Sequence, residues 1–382
     1  MTVRVSDIIE VLDEAYPRRL AEPWDSVGLV CGAPDDEVTG VAVCVDVTDA
    51  VVDWAIDRGA GMIVAHHPLL LRGVDSVAAD TTKGRVIHRL IRSGVALFTA
   101  HTNADRARPG VSDALADALG IIDTRPLQPK PSSPMDKWAV MVPEGNAEQV
   151  SEAMFAAGGG HIGDYRDCSW SVVGTGQFEA TDGANPTLGE IGERTRVDEA
   201  KVEMVAARHH RQAMLDALRR AHPYEEPAFD VFELAELDSD LGLGRVGTLE
   251  HPMTLAAFAE LAAQRLGTPW GVRAAGDPDA IIATVAVCGG AGDSLLAAAS
   301  RSGADAYLTG DLRHHPVDEA RRAGGPALID AGHWGTEFPW CAQVSALIAS
   351  AVDVDATVYD RPTDPFTILA RNVGGPRDRR MP

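Results

Sequence analysis

The 382-residue sequence is poor in cysteine, in aromatic rings and in positive charge, and each shortage excludes something. Its five cysteines, Cys31, Cys44, Cys168, Cys288 and Cys341, are odd in number, far apart and mostly set in apolar runs. Without a CxxC pair they read as reduced core residues of a cytoplasmic protein, not as disulfides, a redox couple or a thiolate zinc site. Lys and Arg number 34 against 56 Asp and Glu, a formal charge of −22. Such a field repels phosphate backbones and acidic lipid, so neither nucleic acid nor a membrane surface is the expected partner. No apolar run approaches the length that spans a bilayer, and Met1-Thr2-Val3-Arg4-Val5-Ser6 lacks a secretory h-region. What is present, 45% hydrophobic and 24% charged residues, is a globular composition with room for two or three domains.

Ser6 reads as an N-cap for a helix with Ile8, Ile9 and Leu12 on one face. Apolar runs at 41–45, 61–65 and 95–100 alternate with helical stretches at 50–58 and 83–93, closed by Gly59 and Gly94. That alternation predicts a largely parallel α/β sheet. Pro126, Pro129, Pro131 and Pro134 predict a stiff extended linker in place of an element. Beyond them, strand patterns at 137–142, 168–173, 201–206 and 228–234 enclose helices at 147–157 and 211–220. This order predicts an inserted ferredoxin-like α+β domain over 130–240. Gly242-Leu243-Gly244-Arg245-Val246-Gly247 fits GxGxxG, but a strand is predicted at 246–249 where a nucleotide loop needs a helix.

The last third repeats the first. At an offset of 244, Val285-Ala286-Val287-Cys288 falls on Val41-Ala42-Val43-Cys44, and Gly303-Ala304 falls on Gly59-Ala60. Gly310-Asp311 then stands in place of His66-His67. Further on, Ala327-Leu328-Ile329-Asp330-Ala331 resembles Ala96-Leu97-Phe98-Thr99-Ala100. With one extra residue after that match, His333-Trp334-Gly335-Thr336-Glu337 falls on His101-Thr102-Asn103-Ala104-Asp105, each a histidine and a carboxylate four apart. The chain therefore reads as two duplicated α/β lobes, 1–129 and 241–382, forming one metal-binding unit around the insert. Ligands are expected at the carboxyl ends of the parallel strands. The tail 371–382, rich in Gly, Arg and Pro, is expected to be disordered unless docked.

Strand ends thus deliver His66-His67, His101 with Asp105, Asp311, and His333 with Glu337. Imidazoles and carboxylates without thiolates suit zinc, iron, manganese or cobalt. One catalytic zinc takes about three protein ligands, and the surplus here favours two divalent ions with a bridging water, as in two-metal hydrolases. His333 and Glu337 share a face only if their turn is helical. His101 and Asp311 are candidates for the layer behind the ligands. His101 is read as holding Asp105, and Asp311 as capping a helix over 312–323. His314-His315 and Arg208-His209-His210-Arg211 read as solvated surface, and Arg313 as a candidate phosphate contact. His161, Asp164, His222, Tyr224, Glu225 and Glu226 read as polar residues beside turns.

Five stretches resemble motifs of the Nif-three-like family, whose members are also called GTP cyclohydrolase 1 type 2 homologues. They are Trp24-Asp25-Ser26-Val27-Gly28-Leu29, Ala65-His66-His67-Pro68, His101-Thr102-Asn103-Ala104-Asp105, Thr309-Gly310-Asp311 and Gly332-His333-Trp334-Gly335-Thr336-Glu337. The resemblance implies a dinuclear site with His66, His67, Asp105, His333 and Glu337 as metal ligands. It also implies a toroidal homohexamer and a PII- or CutA-like insert, whose motifs Gly160-His161-Ile162-Gly163-Asp164-Tyr165 and His222-Pro223-Tyr224-Glu225-Glu226-Pro227 resemble. The expected function is a metal-dependent hydrolase acting on a nucleotide-like or phosphoester small molecule. The alternatives are a metal-delivery protein and a scaffold whose metals are structural.

Overall fold

The computed structural model describes residues 2–370, so the expectation for the tail 371–382 lies outside the described residues. In chain order the strands are β1 (Gly28–Cys31), β2 (Val41–Cys44), β3 (Met62–Ala65), β4 (Ala96–Thr99), β5 (Ile121–Pro131), β6 (Met135–Pro143), β7 (Trp170–Glu179) and β8 (Arg194–Ala207). They continue as β9 (Ala228–Glu233), β10 (Asp238–Thr254), β11 (Arg273–Ala275), β12 (Ile281–Ala291), β13 (Ala306–Gly310), β14 (Ala327–Asp330) and β15 (Ala356–Val358). The result is a mixed α/β fold with several sheets. It divides into two compact units, one built from the chain up to Lys130 and from Asp240 onward, the other from Pro131–Ser239.

The first unit holds two sheets. One has the order β1-β4-β3-β2-β15, the other β11-β14-β13-β12-β10-β5. In each, three central strands are parallel and one antiparallel strand closes an edge. Val, Ile and Ala runs suit them, because helices cover both faces and every position of β2, β3 and β4 is buried. Pairing registers match as well: Val43 lies opposite Val64, and Val287 opposite Leu308.

The two cores are interlaced along the sequence. β15, near the end of the chain, pairs with β2, whereas β5 edges the second sheet. The helix Val111–Leu119 packs Leu115 and Leu119 with Phe258 and Leu308, and the helix His333–Ala351 packs Trp340, Val344 and Ile348 with Tyr16 and Met62. Sequence boundaries at 129 and 241 therefore do not divide the cores. A buried ion pair joins the halves: Arg245, fully buried, donates to both oxygens of Asp113 at 2.7 Å and to the carbonyls of Ala107, Gly242 and Gly244.

Three local expectations need correction. Pro126, Pro129 and Pro131 lie in β5, a strand and not a linker. An edge strand pairs on one side only, so missing N–H groups are tolerated there. The first helix begins at Val5 with Arg4 as its N-cap, and the Arg4 amide donates to Asp7, so Ser6 caps nothing. The helix after β13 starts at His314 with Arg313 at its N-cap, which removes Asp311 from a capping role.

The second unit runs β6, helix Ala147–Ala156, β7, β8, helix Arg211–Ala221, β9. Its sheet has the order β7-β8-β6-β9, with every pair antiparallel. Trp138, Val140, Val202 and Met204 alternate along the strands and meet Met154, Met214 and Leu218 of the helices on one face. At the start of β6, buried Asp136 takes two hydrogen bonds of 2.7 Å from Arg211.

Candidate metal centre

Adjacent strand ends bring the polar residues together. β3 and β4 are in register at Ala65 and Thr99, so His66, His67 and His101 leave the sheet at one edge. β13 and β14 are in register at Thr309 and Asp330 and lead into Asp311 and His333. Gly332 precedes His333 with φ 78°, a conformation that L side chains rarely adopt, and this turn starts the helix His333–Ala351. The helical condition on His333 and Glu337 is met, with Nε2 and Oε1 3.1 Å apart.

Glu337 stands at the centre and is 3% exposed. Its Oε1 lies 3.4 Å from His66 Nε2 and 3.1 Å from His333 Nε2, and its Oε2 lies 3.0 Å from His67 Nε2. Asp105 Oδ1 is 3.7 Å from His66 Nε2, and the Nε2 atoms of His67 and His333 are 3.2 Å apart. Two donor groups emerge, His66 with His67 and His101, and His67 with His333 and Glu337, the donor atoms of each lying within 4.8 Å of one another.

All four imidazoles have the same outer arrangement. Nδ1 faces an oxygen that can only accept: the Ala100 carbonyl for His66 at 2.8 Å, Asp46 for His67 at 2.7 Å, Asp25 for His101 at 2.8 Å and Asp311 for His333 at 2.7 Å. Nδ1 is therefore the donor in each ring, and Nε2 is left to face the centre, the tautomer that metal-binding histidines take. His66 Nε2 and Glu337 Oε2 are buried without a hydrogen-bond partner. Donors bound at about 2.0–2.1 Å to one tetrahedral ion stand roughly 3.3 Å apart, in line with the 3.0–3.7 Å separations here. The residues fit a divalent cation.

Burial opposes charge on His66, His67 and His333, but the surrounding carboxylates outweigh it. Glu337 and Asp46 raise His67 to about 11, and Glu337 and Asp311 raise His333 to about 9. Burial likewise opposes the Glu337 charge, yet His67, His66 and His333 hold it well below the usual carboxylate range. An incoming cation would replace protons in a site already organised for charge. Trp340, fully buried, packs its ring 5.2 Å from His66 and keeps that side dry. Gly290 has φ 65°, and a Cβ there would sit 2.4 Å from Glu337 Oε1, so this turn of β12 makes room for the carboxylate.

His66, His67, Asp105, His333 and Glu337 thus converge. His101, expected to hold Asp105, instead turns Nδ1 to Asp25 at 2.8 Å and belongs to a donor group with His66 and His67. Asp311 orients His333. Asp25, Asp46 and Gly290 are the participants that sequence reasoning missed. Asp25 lies inside one of the resembling stretches, which is the available signal; Asp46, two residues past β2, has none. Beside His67 and His333 opens a cavity of 580 Å³, also lined by Asp46, Trp270, Arg273 and Phe366. No described helix is long and apolar enough to cross a membrane.

A fold of two α/β sheets whose strand ends gather four imidazoles around a buried carboxylate defines a class of candidate metal-binding proteins. The chain belongs to the Duf34/NIF3 (NGG1p interacting factor 3) family, whose model matches residues 3–365. A Mycobacterium tuberculosis relative named GTP cyclohydrolase 1 type 2 homolog is 55% identical over 372 residues, covering 96% of this chain and 98% of the relative. One of the same name from Bacillus subtilis is 37% identical over 96% of this chain and 99% of its own. Among solved structures, a Bacillus cereus protein related to NIF3 matches with TM-score 0.72 and 37% identity, over 97% of this chain and 100% of that one. A Staphylococcus aureus protein matches with TM-score 0.82 and 29% identity, over 96% and 99%.

Proposed function

We propose that the protein is a dinuclear metal-dependent hydrolase of a small nucleotide-like or phosphoester molecule. The observation that carries this reading is the orientation of four imidazoles by Nδ1 acceptors, with Nε2 atoms turned toward a buried, under-bonded carboxylate. His66, His101 and Asp105 would hold one ion and His67 and His333 the other, with Glu337 shared. Zinc, iron, manganese and cobalt suit the donors. Two such ions would supply activated water near neutral pH and stabilise an oxyanion. The chain's own part is to fix the imidazole tautomers, exclude water behind His66 with Trp340, and leave the His67–His333 side open to a cavity for substrate. The relatives' shared name is compatible with nucleotide chemistry.

The architecture proposed with it is a duplication of two α/β lobes, supported by the common strand order and register, around a ferredoxin-like insert, supported by its antiparallel β7-β8-β6-β9 order. The family resemblance further supports a cytoplasmic homohexamer, to be read from sedimentation at micromolar concentration.

One observation favours metal delivery as a second reading. The His67 and His333 side chains are 24% and 35% exposed while His66 is fully buried, so one ion could exchange through the cavity. The test measures turnover of a nucleotide and phosphoester panel by metal-loaded protein against metal exchange in the same sample. Turnover supports the hydrolase; exchange at one site without turnover supports delivery.

A further inference from the structure

A second cavity, of 380 Å³, shares Arg273 and Asp330 with the cavity beside the metal centre. The loop that leaves β13 lines both: Asp311 faces the first, and Leu312 and Arg313 the second. Three guanidinium groups, Arg273, Arg313 and Arg321, line this second cavity together with His314 and two carboxylates, Asp318 and Asp330. In a chain of net charge −22 such a gathering is unexpected, and the cavity of the Pro131–Ser239 unit is the contrast, lined by Glu199, Glu225 and Glu226.

The arginines are held but not used up. Arg273 gives Nε and Nη2 to Asp330 and Nη2 also to the Leu312 carbonyl. Arg313 gives Nε and Nη2 to Asp293, and Arg321 gives Nη1 to the Gly325 carbonyl. A guanidinium carries five N–H donors, so each keeps N–H groups on at least one Nη without a hydrogen bond among the described residues. Fixed guanidinium forks match the oxygen spacing of a phosphate.

We infer that this cavity is an anion subsite, which holds a non-reacting phosphate of the substrate while another part of the molecule extends past Arg273, which lines both cavities, toward the metal centre. The inference deepens the hydrolase reading and rests on it for the word substrate. The subsite itself is independent of bound metal. Arg313 and Arg321 are positioning residues here, since they anchor a group that does not react.

The test titrates inorganic pyrophosphate calorimetrically into the full-length protein, metal-loaded and chelator-stripped, for wild type, Arg313→Gln, Arg321→Gln and the double variant. The Arg313 side chain is 74% exposed, so folding should survive its loss, with unchanged melting as the check. Expected are binding with and without metal, affinity lower by about tenfold for each arginine removed, and unaltered metal content. Affinity equal to wild type in the double variant would overturn the inference, as would pyrophosphate binding confined to metal-loaded protein. Failure of the hydrolase reading would be seen separately, as binding intact in stripped protein but no turnover by the loaded one.

Discussion

The loop after β3 and the loop after β13 each follow the middle one of three central parallel strands, in two sheets that share the arrangement of four strands, yet they carry different chemistry. The first presents His66 and His67 directly to the centre. The second presents Asp311, which only orients His333, and then Arg313, which faces the neighbouring cavity. The same division holds one strand over, where β2 leads to the carboxylate of Asp46 and β12 turns at Gly290 to admit Glu337. One sheet supplies most imidazoles with its loops; the other supplies a helix start and the space for a carboxylate. Two sheets with similar central strands thus give strand-end positions, and the side chains placed there divide the labour.

Making the second sheet resemble the first is the most damaging test of this contrast. Gly290 falls on Asp46 at the repeat offset, and a Cβ there would sit 2.4 Å from Glu337 Oε1. Gly290→Asp should abolish metal retention through collision and like charge, and lower stability by about 1–3 kcal/mol through its positive φ. Elemental analysis and thermal melting measure both. A variant that keeps its metal would show that Gly290 makes no room for Glu337.

The interlacing of the two sheets is next. Asp113→Ala would leave the fully buried Arg245 without its carboxylate, at a cost of about 3–5 kcal/mol. Denaturant unfolding of the full chain should report that loss, and a change under about 1 kcal/mol, the scale of an exposed pair, would mean that Arg245 is served by the carbonyls alone.

Milder changes sharpen the contrast between anchors. Asp25→Asn, Asp46→Asn and Asp311→Asn should each weaken metal binding by about 10–100-fold, because the imidazole loses its orienting carboxylate. His66 is anchored by the Ala100 carbonyl, so no side-chain substitution removes its anchor. Competition with a metal-binding dye would rank the three; wild-type affinity in all of them would detach these carboxylates from the site.

The smallest effect should lie away from the centre. The Arg211 side chain, bonded to Asp136, holds that carboxyl below its ordinary range. In the unfolded chain it returns to about 3.9, so the pair stabilises fully above that pH and loses its contribution as pH falls through the lowered folded value. Asp136→Asn should therefore reduce Tm at pH 7, converge with wild type in acid, and leave metal content untouched. A Tm deficit independent of pH would assign the effect to packing.

The histidines are legible in the sequence because short apolar runs announce their strands and the ligand pairs stand right after them. Glu337 is legible from its spacing to His333, once Gly332 permits the helix to start there. Asp25 is marked only by the resembling stretch that contains it, and Asp46 by nothing, since a lone aspartate has no period; Asp46 reaches His67 only because β2 pairs with β3 in the register Cys44 to Ala65. The prolines at 126, 129 and 131 mislead for a related reason. Whether a proline excludes a strand depends on the strand being interior or edge, which is a property of the sheet. Interlaced cores are likewise invisible to boundary reading, because coverage of a sheet face is settled between helices distant in sequence.

Glu337 is proposed to be shared by two ions. Metal content per chain, measured by elemental analysis after dialysis of wild type and Glu337→Gln, tests it most directly. Expected are two ions in the wild type, no more than one in the variant, and a retained fold by circular dichroism. Two ions kept by Glu337→Gln, or none held by the wild type, would contradict it.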